Sequence, residues 1–338
     1  MSPSLVTDMQ ITLEIELQSQ ICRLNEVSTS EFYEMVTYHM GWSGDSTSQS
    51  TSGKRIRPLL LLLCSASIDQ NYSWRNALSG AAAVELLHNF SLIHDDIQDN
   101  SDIRRNRPTL WRMWGIPQAI NAGDGLYALS NLAISNLVQK NPPNLVIKIA
   151  SIFNNTCLNL TRGQYLDMSY EAKDNLSLDN YWLMITNKTA ALISASAEIG
   201  AILAGCDEEG QEVFRQFGHY LGLAFQVKDD ILGIWGLENR TGKSTTKDLI
   251  TGKKTLPILY GIRENKKFAK RWFEGSISIT EAPVVAAQLV KEGAKKYAED
   301  TLDQLTEMAQ KYLKIITPLG QAGEELFDLT NRLLKRDA

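Results

Sequence analysis

The run His94-Asp95-Asp96-Ile97-Gln98-Asp99 places three carboxylates at the end of an apolar segment. Positions 95 and 99 are four apart and 96 and 99 three apart, so on a helix the three crowd one face. Three neighbouring anions repel one another. The apolar turn before them, Phe90-Ser91-Leu92-Ile93, should draw the helix into a core, where carboxylates need a cation. An oxygen-only donor set suits Mg2+, which keeps waters and bridges a few carboxylates to substrate phosphates. Asp229-Asp230 repeats the pattern after the apolar run Leu221 to Val227, with Gln226 upstream on the same face. A single acidic run is most often a solvated helix end. Two of them, closing separate apolar helices, predict facing walls of a metal and phosphate site.

Cations stand beside these runs. Gly53-Lys54-Arg55-Ile56-Arg57-Pro58 leads into a Leu-rich segment, Arg104 and Arg105 follow the first acidic run, and Lys188, Lys243, Lys247, Lys253 and Lys254 surround the second. Lysine offers a point charge to phosphate and arginine a fork. Lys247 and Lys254 read as ordinary surface lysines. Gly236 to Ser244 imitates a nucleotide-binding P-loop, but five residues separate its glycines where four are needed, and the flanking strand is missing. His88 and His94 are six apart, which does not fit a zinc helix. His94 reads as a satisfied histidine, while His88 is placed to face a phosphate.

The elements carrying these residues read as helices. Between 75 and 99 the apolar residues Ala82, Leu86, Leu87, Phe90, Ile93 and Ile97 recur at steps near three and four. Similar patterns run over 12–38, 54–69, 118–139, 145–170, 179–204, 209–235, 255–273, 283–313 and 320–335. Breakers at 41–53, 104–117, 141–144 and 236–248 separate them. Strand-like alternation is hard to find. No composition shift or short repeat marks a second domain, so one all-helical domain over 1–338 is expected.

The chain has 338 residues, and 34 Lys and Arg against 39 Asp and Glu give a formal charge of -5. That balance offers no general attraction for nucleic acid or an anionic membrane. Cys22, Cys64, Cys157 and Cys206 lack metal or redox spacing and read as buried thiols in a reducing compartment. The first residues lack the basic and apolar segments of a secretory signal, and no apolar run is long enough to span a bilayer.

Together these motifs resemble the trans-type isoprenyl diphosphate synthases, the geranylgeranyl and farnesyl diphosphate synthase family, in the right order from about Gly53 to Pro257. The resemblance implies an all-α isoprenoid synthase fold, a large helical bundle around a central active-site cavity. It implies that Lys54, Arg57 and His88 grip isopentenyl diphosphate, joined by Arg105, and that Arg104 serves the allylic diphosphate. Asp95, Asp96 and Asp99, with Asp229, would hold Mg2+, three ions per active site, and Asp230 and Lys188 would join them in catalysis. Lys188, Thr189, Gln226, Lys243 and Lys253 match the remaining allylic positions. Phe90 and Ser91 stand where the family sets chain length. With one aromatic residue there and no insertion in the acidic motif, they resemble the geranylgeranyl (C20) producers. Two departures stand out: Gly233 replaces the third aspartate of the second acidic motif, and Asn106 replaces the usual glycine after the arginine pair. The resemblance further implies a cytoplasmic homodimer. A class I terpene cyclase on the same fold and a non-catalytic synthase subunit are the alternatives.

Overall fold

A computed structural model describes residues 4–42, 53–69, 71–236 and 246–334. The chain divides into two compact units. The first comprises Met1–Cys157, Ala195–Phe214 and Thr317–Leu326, and the second Leu158–Ser194, Arg215–Ile316 and Phe327–Ala338.

The helices of the first unit begin with α1 (Leu5–Ile21), α2 (Ser30–Met40), α3 (Ile56–Ala66) and α4 (Leu78–Gln98). The single helix expected over 12–38 is two. Thr29 interrupts it, because its hydroxyl donates to Leu24 O at 2.8 Å and accepts from Glu26 N at 3.3 Å, offering the backbone a turn in place of a helix. Helix α3 is apolar all round, and Leu59 to Cys64 are each at most 4% exposed, as a helix buried on every side must be. Helix α4 is buried from Gly80 through Leu87, with three consecutive alanines that allow close packing.

Strands β1 (Ile103–Arg104) and β2 (Arg107–Pro108) form a small antiparallel hairpin inside the segment read as a breaker. Its two-residue turn is Arg105-Asn106, with φ of 51° and 59°. A hairpin turn with both central residues left-handed matches the strand twist, and asparagine tolerates that conformation better than most residues. That accounts for Asn106 in place of glycine. After it come α5 (Leu110–Trp114) and α6 (Ile116–Asn136). Helices α7 (Pro143–Glu171), α9 (Ala191–Leu203) and α10 (Glu208–Trp235) contribute residues to both units.

The second unit contains α8 (Leu178–Ile185), the π-helical turn Thr186–Ala190, α11 (Lys247–Thr251), α12 (Leu256–Arg263), α13 (Lys267–Phe273), α14 (Ala282–Lys291) and α15 (Ala294–Ile316). Helix α16 (Gly320–Leu334) again belongs in part to each unit. The pattern over 255–273 breaks at Asn265 (φ 51°) and that over 283–313 at Gly293 (φ 93°), left-handed positions where a helix ends. A core of Ile234, Leu249, Ile258, Phe268, Val285 and Leu289 holds these helices together. The four cysteines are thiols and form no disulfide. Cys64 and Cys157 are buried as expected, but Cys206 is only partly buried and Cys22 is exposed, since it follows α1 on a turn outside the core.

Candidate active site

In the first unit, the stretch before α3 is pinned by Arg55. Its Nε is 2.7 Å from Glu14 Oε1 and its Nη1 is 2.7 Å from Glu85 Oε1, and its side chain is 4% exposed. The left-handed backbone at Arg55 (φ 47°) turns the chain so that Arg57 points inward. Arg57 Nη1 donates to His88 Nε2 at 3.1 Å. Because arginine can only donate, His88 is the neutral tautomer with its proton on Nδ1. Burial, followed by the charges of Arg57, Arg105 and Arg104, holds His88 well below the usual histidine range. Arg105 lies against the same stretch, since a Cβ on Gly53 would sit 2.7 Å from its Nη2. Arg57, His88 and Arg105 therefore come together beside the segment that carries the exposed Lys54.

The acidic end of α4 lies two turns beyond His88. Carboxylates at a helix C-terminus meet the negative end of its dipole, so they need cations. Arg104 supplies one. Its Nε donates to both Asp96 oxygens at 2.8 Å, and its Nη2 is 3.6 Å from Asp95 Oδ2. Burial pushes the Asp96 carboxyl up while Arg104 pulls it down. Asp95 and Asp99 are partly exposed. Upstream, the Phe90 ring lies 4.6 Å from that of His94 and 5.2 Å from that of Tyr127 on α6, and Ser91 Oγ donates to the His88 carbonyl at 2.8 Å.

In the second unit, the π-helical turn presents Lys188 and Thr189. Glycines bring neighbouring helices onto it from two sides. A Cβ at Gly163 would lie 2.3 Å from Lys188 N, and one at Gly222 would lie 2.7 Å from Ala190 Cα. Such turns are frequent at functional sites. Lys188 pairs with Asp167 on α7. Thr189 Oγ1 donates to Gln226 Oε1 at 2.7 Å, and Gln226 Nε2 donates to Asp230 Oδ1 at 2.8 Å. Asp230 Oδ2 also accepts from Tyr181 OH at 2.8 Å and Leu256 N at 3.0 Å. Asp230 is 3% exposed, and burial pushes its carboxyl up to about 7. It anchors α8 and α12 to α10, while Asp229 faces solvent. Lys253, Asp167, Tyr170 and Tyr181 line one small cavity.

The reading of Lys254 as a surface lysine is wrong. Its Nζ donates to the carbonyls of Tyr170 and Glu171 at 3.0 Å and to that of Lys173, closing the end of α7. Lys247 is exposed, and Lys243 lies outside the described residues. Gly233 faces the Asp248 carboxylate, because a Cβ there would be 2.1 Å from Asp248 Oδ2. Arg55, grouped with the phosphate cations from sequence, is instead engaged by Glu14 and Glu85, and sequence reasoning missed Glu85, Asp167, Tyr181 and Asp248, whose roles depend on partners remote in the chain. Among the described residues, no three His, Cys, Asp or Glu side chains converge closely enough to hold a metal ion by themselves.

Residues 45–292 match the polyprenyl synthetase family. The chain is 37% identical over 278 residues to the (2E,6E)-farnesyl diphosphate synthase of Mycobacterium tuberculosis (strain H37Rv), covering 82% of this chain and 72% of that one. It is 35% identical over 285 residues to the geranylgeranyl pyrophosphate synthase of Geoglobus acetivorans, covering 84% and 87%. Among solved structures, the geranylgeranyl pyrophosphate synthetase of Pyrococcus horikoshii superposes with a TM-score of 0.89 at 27% identity, over 98% of this chain and 97% of that one. The heptaprenyl diphosphate synthase of Staphylococcus aureus gives 0.84 at 26% identity over the whole of both chains, so the backbone alone does not separate product lengths.

Proposed function

The chain belongs to the polyprenyl synthetase family, with its all-α isoprenoid synthase fold and prenyl-transferring activity, and from that premise we propose that it condenses isopentenyl diphosphate with an allylic diphosphate to give geranylgeranyl diphosphate. One observation carries the assignment of two diphosphates. Helix α4 bears a cationic cluster at His88, with Arg57 and Arg105, and an anionic end at Asp95, Asp96 and Asp99, seven residues further on. Seven residues of helix span roughly 10 Å. A terpene cyclase has no second diphosphate to place against the cationic cluster.

The donor set at the end of α4 fits Mg2+. The carboxylates are hard oxygen ligands too few to enclose an ion, which matches a metal whose remaining positions go to water and phosphate. Asp95, Asp96 and Asp99 would hold it in the first unit, and there it would neutralise charge on a departing diphosphate. Arg104 adds fixed positive charge for the same leaving group, which lowers the barrier to breaking the allylic C–O bond. Arg57, Arg105 and Lys54 hold isopentenyl diphosphate so that its double bond reaches the allylic carbon. Neutral His88 keeps Arg57 aimed. Phe90, braced by Tyr127, closes the groove below the tail, and the small Ser91 leaves room above it. Asp230 acts by holding Gln226 and Tyr181 in place.

The assignment extends to a cytoplasmic homodimer. No described helix is long and apolar enough to cross a membrane. Ile116, Ile120 and Tyr127 share one face of α6 and are 47%, 40% and 36% exposed, an apolar strip that a second copy would cover. A monomer mass by light scattering would remove the dimer. For the catalytic assignment, Asp95→Ala should cut turnover by at least about a hundredfold, and near-normal kcat would refute it.

A further inference from the structure

Glu14 stands on α1, 41 positions before the arginine it meets, and its carboxylate joins three segments of the first unit. Oε1 accepts from Arg55 Nε at 2.7 Å. Oε2 accepts from Nε1 of Trp42, just past α2, at 2.9 Å and from Arg55 Nη2 at 3.5 Å. Arg55 Nη2 also donates to Met40 O at 3.3 Å, and Nη1 donates to Glu85 Oε1 at 2.7 Å, one turn before His88 on α4. All three nitrogens of the guanidinium are thus engaged by protein acceptors, so Arg55 is a strut and not a phosphate ligand.

The strut holds a backbone that would not hold itself. Arg55 is the N-cap of α3 in a left-handed conformation (φ 47°, ψ 38°), and its side chain makes no cap hydrogen bond. Arginine is not a favoured cap, and a left-handed residue other than glycine persists only where its surroundings over-determine it. Arg55 O accepts from Leu59 N at 3.2 Å, the first bond of α3, so the turn at Arg55 sets where Arg57 delivers its guanidinium. On the other side Gly53 (φ 74°) lies against Arg105, with only 2.7 Å between its would-be Cβ and Nη2. Lys54, Arg57 and Arg105 therefore take their places from one pinned residue. The allylic side is held separately. Arg104 is fixed by Asp96, and the hairpin by Arg107, whose Nη1 donates to Tyr38 O at 3.3 Å and whose guanidinium lies 3.8 Å from the centre of the Tyr38 ring.

We propose that Glu14 is a positioning residue for isopentenyl diphosphate: acting through Arg55, it fixes the backbone over residues 53–57 and so sets affinity for that substrate and not for the allylic one. This role rests on the assignment of isopentenyl diphosphate to the Lys54, Arg57, His88 and Arg105 cluster. Charge alone gives the opposite sign. Glu14 is an anion near a site for an anion, so removing its charge without disturbing the backbone would tighten binding. Its side chain is 31% exposed against 3% for Glu85, which makes it the half of the clamp that can be changed with the core left intact.

Glu14→Gln keeps the shape of the clamp and removes its charge. Full-length protein with Mg2+ and farnesyl diphosphate as primer allows a single condensation to be followed, with each substrate varied in turn. The KM for isopentenyl diphosphate should rise about fivefold or more. The KM for farnesyl diphosphate and kcat should stay within about twofold, the signature of binding lost at one site. Asp8→Asn, which breaks the 2.7 Å pair of α1 with Arg75, controls for a loosened helix and should leave both KM values within about twofold. An unchanged or lowered KM for isopentenyl diphosphate in Glu14→Gln, an equal rise for both substrates, or an equal rise in Asp8→Asn would overturn the role of Glu14 while the site assignment stands. If wild-type protein does not incorporate isopentenyl diphosphate, both fall. Should Glu14→Gln fail to fold, Glu14→Asp decides in its place, because it keeps the charge and draws it back by one methylene. The KM for isopentenyl diphosphate alone should then rise about threefold or more, and no such rise would overturn the proposal.

Discussion

The Nε of Arg104 lies 2.8 Å from both carboxylate oxygens of Asp96, making the hairpin arginine the counter-charge of a buried acid at the end of α4. A buried carboxylate stripped of its cation is costly, even when the arginine is itself partly exposed. Arg104→Gln should therefore lower stability in EDTA by about 1–3 kcal/mol. Mg2+ with diphosphate should narrow the gap by supplying a replacement charge. Urea unfolding with and without these ligands reads both effects, and equal stability of the two proteins in EDTA would show that the pair contributes nothing.

His88 gives a pH signature. Its folded pKa lies below the ordinary value of about 6.5, so the unfolded chain binds more protons than the folded one. The stability it contributes is complete above about 6.5 and is lost as pH falls from there toward its folded pKa. Asp230, pushed up to about 7, works in the opposite direction, so only a difference between variants isolates His88. Between pH 7 and 5, wild type should lose unfolding free energy more steeply than His88→Gln. Parallel profiles would mean His88 is not held neutral.

Asp248 occupies the space beside Gly233, which alters what restoring the family's third aspartate would do. A Cβ there would be 2.1 Å from Asp248 Oδ2, and the new carboxylate would add a like charge. Gly233→Asp should destabilise the protein by about 1–3 kcal/mol, with part of the loss recovered in the double variant with Asp248→Ala. Thermal unfolding of the four proteins tests the coupling. Purely additive effects would place Asp248 away from position 233.

Much of the site could be read from sequence because its residues cluster by motif. The helical step of α4 joins His88, Phe90 and Asp95 to Asp99 on one element, and the order of basic runs fixed which cations to consider. The residues that hold those side chains were hidden, because Glu14 meets Arg55 across 41 positions and Tyr181 meets Asp230 across 49. Lys254 looked like any exposed lysine until the end of α7 arrived beneath it. The helix breaks at Thr29, Asn265 and Gly293 were local, yet the apolar period ran on through them and masked the turn chemistry.

The proposed product length rests on Phe90 and Ser91. Phe90 rests on His94 and Tyr127, so its ring is braced to act as a floor. Phe90→Ala should give products longer than wild type, and Ser91→Phe should shorten them toward farnesyl diphosphate. Chromatography of dephosphorylated products measures this. Unchanged lengths with only slower turnover would make Phe90 a packing residue and leave the C20 assignment without support.

The most direct test of the whole account is product identity. Purified full-length protein with Mg2+, labelled isopentenyl diphosphate and an allylic primer, analysed by mass, should convert the label into a longer prenyl diphosphate, chiefly C20, and should do nothing with EDTA present. Failure to incorporate isopentenyl diphosphate, with an allylic diphosphate alone yielding hydrocarbon and free diphosphate, would contradict it.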